Sequence, residues 1–356
     1  MIALNSSLAV HPNLAGHDPT SGLIHFGCKS SLDEFSIQSF LLRHVPILLS
    51  SACILLITPD PAIIAHMLFS WIRALRPRQW IKNGFVFAAL VFDGQLFSPA
   101  PTIRTAIGFL LLCAASSTVY LLNDIADIEA DRQHPTKRFR PIASGDLPIS
   151  VARVSAFGLF VLSLGGSFLL SRPFALIVLT YLTLNFFYSY WLKHVPIIDV
   201  FIIAAGFVLR VGAGVSLITV ERFSPWLYVC TTLLALFIGF GKRRAEITLL
   251  AEGANSHRRV LDGYSIKLLD QLIVIVSALT IMAYSLYTFS AENLPNNHLM
   301  MLTIPLVIYG IFRYLHLIHV EKLGGAPEEL VVRDSPLLAT LILWGLSSVL
   351  ILYLGP

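Results

Sequence analysis

Residues 119–147 read VYLLNDIADIEADRQHPTKRFRPIASGDL. An apolar run passes into a row of acids with no helix breaker between them, and the acids then give way to bases. Asn123, Asp127 and Asp131 are spaced i, i+4, i+8, so on a continuing helix they project from one face in successive turns, with Asp124 one step round. Like charges so placed repel unless a cation or a cationic ligand sits among them. Carboxylate and amide oxygens suit Mg²⁺, which takes one or two carboxylates together with phosphate oxygens and waters. The row therefore predicts a metal-bound diphosphate held by Asn123, Asp124, Asp127 and Asp131. Arg132, Lys137, Arg138 and Arg140 follow closely and suit phosphate oxygens, the arginines with bidentate geometry. The competing view is a solvated loop whose bases only set topology, but topology needs no row of acids at helical spacing.

The rest of the chain sets this motif in a membrane. Of 356 residues, 56% are hydrophobic and 13% charged, against about half and a quarter in soluble domains. A soluble core of this composition would expose far more apolar surface than water tolerates, whereas a bilayer takes about 20 apolar residues per spanning helix. The lipid bilayer is thus a partner, and a net charge of +4 is too small to argue for nucleic acid. Apolar runs bounded by charge, Pro or Gly predict nine spans, at 80–97, 101–122, 151–170, 173–192, 197–219, 224–241, 268–290, 299–319 and 336–354. The stretch 37–57 is long enough for an extra span, but Arg43, His44 and Pro46 leave an interfacial helix equally open. With residues 73–82 inside, Lys and Arg crowd the inside connections, and the alternate connections hold only Arg104, Arg172 and Arg222. Cytoplasmic loops collect such residues, so the long polar connections 123–150 and 242–267 are expected in the cytoplasm. The start MIALNSSLAV has no basic n-region, and no removable signal peptide is expected. Cys28, Cys53, Cys113 and Cys230 show no CxxC or metal spacing and read as small hydrophobes. His316 and His319 read as interfacial, His134 as a phosphate contact or loop residue, and none of them supports zinc.

NxxxDxxxD at 123–131 resembles the first aspartate-rich motif of the UbiA superfamily of intramembrane prenyltransferases. Nine helices with cytoplasmic polar loops after the second and sixth match that family's architecture, an all-α polytopic bundle. More narrowly, LRPRQWIKN at 75–83, NDIADIEADRQHPTKRFRPIASG at 123–145, FFYSYWLK at 186–193, IDVFIIAAGFVLRVGAG at 198–214 and GKRRAE at 241–246 resemble the decaprenyl-phosphate phosphoribosyltransferase branch. The resemblance runs from about residue 70 to the C-terminus. Residues 67–356 are read as the transferase domain and 1–66 as an extension of unknown role, with Met67 a plausible family start.

One departure from the superfamily pattern is informative. Prenyl diphosphate users usually carry a second motif, DxxxD, after the sixth helix, and here that loop reads FGKRRAEITLLAEGANSHRRVLDGYS. Its acids Glu246, Glu252 and Asp262 form no DxxxD, and it offers Lys242, Arg243, Arg244, His257, Arg258 and Arg259, a basic set suited to extra phosphates. The branch resemblance implies Mg²⁺-dependent transfer of 5-phosphoribose from phosphoribosyl pyrophosphate to a polyprenyl phosphate, releasing pyrophosphate, in a bacterial plasma membrane and in cell-envelope synthesis. It implies a metal held by Asp124, Asp127 and Asp131 at the departing diphosphate. Tyr188 and Lys193 match family residues that face the polar cavity, although Tyr and Lys are also common interface anchors. Arg210 lies well inside the fifth span, where a charge is costly without a partner or a wet cavity. Asp199 is a weaker candidate on the same helix. Arg76 and Lys82, with Arg78 and Asn83, are equally suited to substrate phosphate and to lipid headgroups.

Two other readings compete. An aromatic or tetrapyrrole prenyltransferase would keep the first motif, but GKRRAE in place of DxxxD argues against it. An anion or lipid transporter would use Arg210, but no inverted repeat is visible and the densest charge lies on one side of the membrane. A homo-oligomer is compatible with the sequence.

Overall fold

The computed structural model of the protein describes residues 61–220, 224–251, 259–295 and 297–354. The expected extension through residue 60 with its 37–57 segment, and the candidate residues His257 and Arg258, lie outside the described residues. Every regular element among the described residues is helical, as expected of an all-α membrane bundle.

The chain enters through α1 (Pro61–Leu75), so the boundary placed before Met67 falls inside a helix. Pro77, which has no N–H to donate, ends the α-helical path, and Arg76 turns into the left-handed region at φ 55°. A 3₁₀ stretch (Pro77–Val86) and the six-residue α2 (Phe87–Phe92) follow. The predicted span at 80–97 is thus not one α-helix, because its first half is wound as 3₁₀ around the buried Asn83. Next, α3 (Pro99–Ala126) has 28 residues, about 42 Å at 1.5 Å per residue, against a hydrocarbon core of about 30 Å. Its excess length carries the acid row to the membrane boundary.

The short helices α4 (Ile128–Gln133) and α5 (Pro141–Ser144) form the polar connection to α6 (Ile149–Leu170). Ser171 caps α7 (Arg172–Tyr190), and α8 (Ile198–Val215) follows a 3₁₀ turn at Leu192–His194. In α9 (Trp226–Ala251) the predicted sixth span and the GKRRAE motif form one continuous helix. A 3₁₀ segment at Arg259–Gly263 leads to α10 (Ile266–Ser290), then come α11 (Ile304–His319), α12 (Pro327–Arg333) and α13 (Ser335–Leu354). Seven helical segments among the described residues are long and apolar enough to cross a membrane: α3, α6, α7, α8, α10, Leu299–His319 and α13. They coincide with seven of the nine predicted spans.

Helix α3 packs along α6, α7 bridges α6 to α8, and α8 and α10 flank α9. One apolar core of Leu112, Phe174, Val178 and Ala213 joins α3, α7 and α8, and another of Phe237, Phe240, Leu269, Ile273 and Leu317 joins α9, α10 and α11. Outward-facing Leu110, Phe157, Leu169 and Val274 remain exposed, which hydrocarbon accepts and water does not. Cys113 and Cys230 are free thiols.

Candidate active site

The acid row does not run as one helical face. Helix α3 ends at Asp127, where ψ opens to 11°, and α4 restarts at Ile128. The Asp127 N–H still donates to Asn123 O at 2.9 Å, and the Asp131 N–H to Asp127 O at 2.8 Å. The kink sorts the four residues into two pairs.

Asp124 and Asp131, each only 2% exposed, turn inward. Asp124 Oδ1 accepts from Arg76 Nη2 at 2.6 Å and from Arg140 Nη1 at 3.1 Å, while the same Arg140 nitrogen donates to Asp131 Oδ2 at 2.6 Å. A buried carboxylate needs a partner or a metal. Here two arginines supply it and tie the 3₁₀ stretch, α3, α4 and the start of α5 into one knot. The Arg76 guanidinium also lies over the Tyr120 ring, 5.0 Å from its centroid.

Asn123 and Asp127 turn outward. With Ser189, Tyr190, Lys193 and His194 they line a cavity of about 230 Å³. Lys193 therefore joins the motif, and Asp127 takes no part in the ion pairs of its neighbours. Lys137 and Arg138 remain exposed, the latter over the Phe139 ring. An exposed aromatic cluster of Phe186, Phe187, Tyr190 and Trp191 flanks this cavity.

Deeper in the bundle, Arg210 is 7% exposed. Its Nε donates to Asn83 Oδ1 at 2.8 Å, Nη1 to Gly206 O at 2.8 Å and Nη2 to the Tyr181 hydroxyl at 3.0 Å. The rings of Tyr181 and Phe207 lie beside it. These neutral partners engage three of its five N–H groups and leave its charge, and among the described residues it makes no ion pair. The close approach that permits this geometry depends on Gly214, one turn further along α8. A Cβ there would stand 2.0 Å from Val86 O, and Val86 follows Asn83 on the same 3₁₀ stretch.

The cations of GKRRAE separate. Arg243 is 1% exposed; its Nε donates to Asp199 Oδ2 at 2.7 Å and its Nη1 to Glu246 Oε2 at 2.5 Å. Asp199 also accepts from the Tyr264 hydroxyl at 2.6 Å. Arg243, Glu246, Asp199 and Tyr264 thus join α8, α9 and the 259–264 segment. Tyr188 lies within electrostatic reach of Arg243. Arg244 donates to Asp270 at 2.5 Å and to Ile318 O at 2.9 Å, which ties α9 to α10 and α11. Lys242 instead acts on Lys82 and on Glu328. Arg259 opens the 3₁₀ segment that follows.

Glu328 on α12 escaped the sequence reading. Its Oε1 accepts from Lys82 Nζ at 3.2 Å and from Gln79 Nε2 at 3.3 Å. Burial works to raise its pKa, but Lys82 prevails and holds it below the usual glutamate range. Tyr181, which with Asn83 holds Arg210, was missed as well and carries no charge to mark it. Nothing in the sequence marked Glu328, since the same connection also carries Glu321, Glu329 and Asp334.

The oxygen-only donors at the kink fit a hard divalent cation. Asn123 and Asp127 face the cavity, and Asp124 and Asp131 each engage an arginine through one carboxylate oxygen. Among the described residues no group of three His, Cys, Asp or Glu side chains is arranged to hold a metal. Such a set suits an ion that completes its shell with substrate phosphate oxygens and water, and does not suit a closed protein cage.

The chain's relatives agree with this architecture. It is 36% identical to the decaprenyl-phosphate phosphoribosyltransferase of Corynebacterium glutamicum, over 80% of this chain and 87% of that protein. It is 32% identical to the protein of the same name from Mycobacterium tuberculosis, over 79% of this chain and 93% of that one. Its fold matches a UbiA homolog from Archaeoglobus fulgidus solved with GPP and Mg²⁺, with a TM-score of 0.60 and 22% identity, over 80% of this chain and 98% of that one. Residues 84–330 match the model of the UbiA prenyltransferase family. This chain belongs to the UbiA prenyltransferase family and is a membrane-embedded transferase.

Proposed function

We propose that the protein transfers 5-phosphoribose from phosphoribosyl pyrophosphate to a polyprenyl phosphate, with Mg²⁺, in a bacterial plasma membrane and with its polar loops cytoplasmic. The observation that carries this reading is the chemistry of α9. Where a prenyl diphosphate user would hold a second acid motif, this chain has Lys242 within electrostatic reach of Lys82 and spends Arg243 and Arg244 on internal pairs. A donor with a diphosphate and a separate 5-phosphate, met by an anionic acceptor, calls for cations there. The names of the Corynebacterium and Mycobacterium relatives support the same assignment.

In this scheme Asn123 and Asp127 would hold the metal at the cavity, while Arg76 and Arg140 hold Asp124 and Asp131 in place behind them. A bound Mg²⁺ supplies charge stabilisation to the departing pyrophosphate. The bond from ribose C1 to the pyrophosphate oxygen breaks with its electron pair leaving on pyrophosphate, and an oxygen of the acceptor phosphate forms the new bond to C1. The acceptor is already an anion, so no strong base is required, and orientation by Lys193, Lys82 and Lys242 carries the rate.

The test uses purified full-length protein, Mg²⁺, donor labelled in the ribose and a polyprenyl phosphate. Labelled lipid from the wild type, reduced by about 10²-fold or more in Asp127→Ala, is expected. Prenyl transfer from a prenyl diphosphate to an aromatic acceptor, without labelled lipid, would overturn the reading and leave the family membership standing.

A further inference from the structure

The charges of Lys242 and Arg210 are both within electrostatic reach of Lys82. Lys82 is paired with Glu328. Among the described residues Lys242 and Arg210 make no ion pair, and Arg210 is nearly buried. Like charges brought together at low dielectric repel, and burial strengthens that repulsion. One carboxylate meets this excess. It is carried on α12, and it approaches a lysine Nζ and an amide Nε2 in the way that a phosphoryl oxygen would.

The mounting of this carboxylate suits exchange. Pro327 and Leu330 on either side of Glu328 are buried and anchor α12, while the Glu328 side chain keeps 25% of its surface in solvent. Asp334 at the end of α12 is held by Arg313 at 2.6 Å, and its pKa is pulled below the usual carboxylate range by that hydrogen bond. The helix can therefore stay in place while one side chain rotates outward.

We propose that Lys82 and Gln79 form a subsite for a phosphate monoester dianion and that Glu328 occupies it as a built-in competitor until the ligand displaces it. The proposal rests on the phosphoribosyl-transfer reading, in which both donor and acceptor carry such a group. Glu328 then sets affinity: it screens Lys82 and lowers the net attraction for any anion that approaches.

The experiment titrates full-length protein in detergent, without donor turnover, at matched ionic strength. Inorganic phosphate is the first probe; ribose 5-phosphate and geranyl phosphate are the second and third. Glu328→Gln keeps the size and hydrogen-bonding capacity of the side chain and removes its charge. It is expected to tighten inorganic phosphate by about five- to tenfold, the scale of one half-exposed ion pair. Lys82→Met in the Glu328→Gln background is expected to abolish that gain. A larger gain for ribose 5-phosphate than for geranyl phosphate assigns the subsite to the donor, and the reverse assigns it to the lipid. Glu328→Ala provides a second charge-free variant should Glu328→Gln unfold. Equal or weaker phosphate binding in both variants, each retaining the wild-type melting temperature, would overturn the proposal. Tighter phosphate with no ribosyl transfer by the wild type would instead sink the assigned reaction and leave the subsite standing.

Discussion

Replacing Arg243 by methionine should destabilise the protein by about 3–5 kcal/mol, the range for removing one partner of a buried ion pair. The structure says why the upper half of that range applies. Arg243 and Asp199 are 1% and 0% exposed, so the Asp199 carboxylate left behind keeps only the Tyr264 hydroxyl at 2.6 Å and has no access to water. Glu246, the second partner, has 23% of its side chain exposed and can solvate itself, so its loss adds little. The double variant Asp199→Asn/Arg243→Met removes the stranded charge. It retains the acceptor for Tyr264 and should recover about 2 kcal/mol of the loss, because the residual cost is an unpaired amide and not an ion. The assay is equilibrium unfolding of detergent-solubilised protein, with ribosyl transfer measured on the same preparations. If Arg243 is the structural pin described here, activity returns with stability in the double variant. A single variant costing under about 1 kcal/mol, or a stable double variant without turnover, would refute the reasoning and put Arg243 in contact with substrate.

Asp127→Ala should leave the melting temperature near wild type while transfer falls, whereas Asp124→Ala should unfold more readily by about 1 kcal/mol, since it leaves Arg76 with 29% of its side chain in solvent and Arg140 still paired with Asp131; paired melting and activity measurements check both. Gly214→Ala should cost about 1–3 kcal/mol through overpacking. Its Cβ stands 2.0 Å from Val86 O, and retreat of the 3₁₀ stretch would loosen Arg210 from Asn83, so transfer should fall with stability. The Lys82–Glu328 pair should weaken in acid: because the folded pKa of Glu328 is depressed, its contribution is present above the ordinary value of 4.5 and is lost as pH falls through the lower folded value. The hydrogen-exchange protection factors of residues 328–333, with the intrinsic pH dependence of exchange divided out, should therefore fall below pH 4.5 and remain unchanged between pH 6 and 8.

What could be read from the sequence, and what could not, follows from the reach of helical geometry. The acid row was legible because four-residue spacing is local, yet the partners of Asp124 and Asp131 were not: Arg76 arrives from 48 positions away and enters through a left-handed backbone turn that no periodicity encodes. Arg210 stood out as a charge in an apolar run, but Asn83 and Tyr181, which keep it inside, are neutral hydrogen-bonding residues that an apolar helix tolerates anywhere. The long apolar spans matched because length and hydropathy suffice for them. The stretch at 80–97 did not, because Pro77 and the buried Asn83 impose 3₁₀ winding inside an apolar run. The sharpest division is at GKRRAE. In a sequence Lys242, Arg243 and Arg244 read as one basic patch, but consecutive residues on a helix point about 100° apart. The first therefore acts electrostatically on Lys82, the second is buried against α8, and the third reaches Asp270 on α10. A run of like charges leaving a membrane helix thus belongs to as many sites as it has neighbours, and its chemistry is set by which neighbour each residue finds.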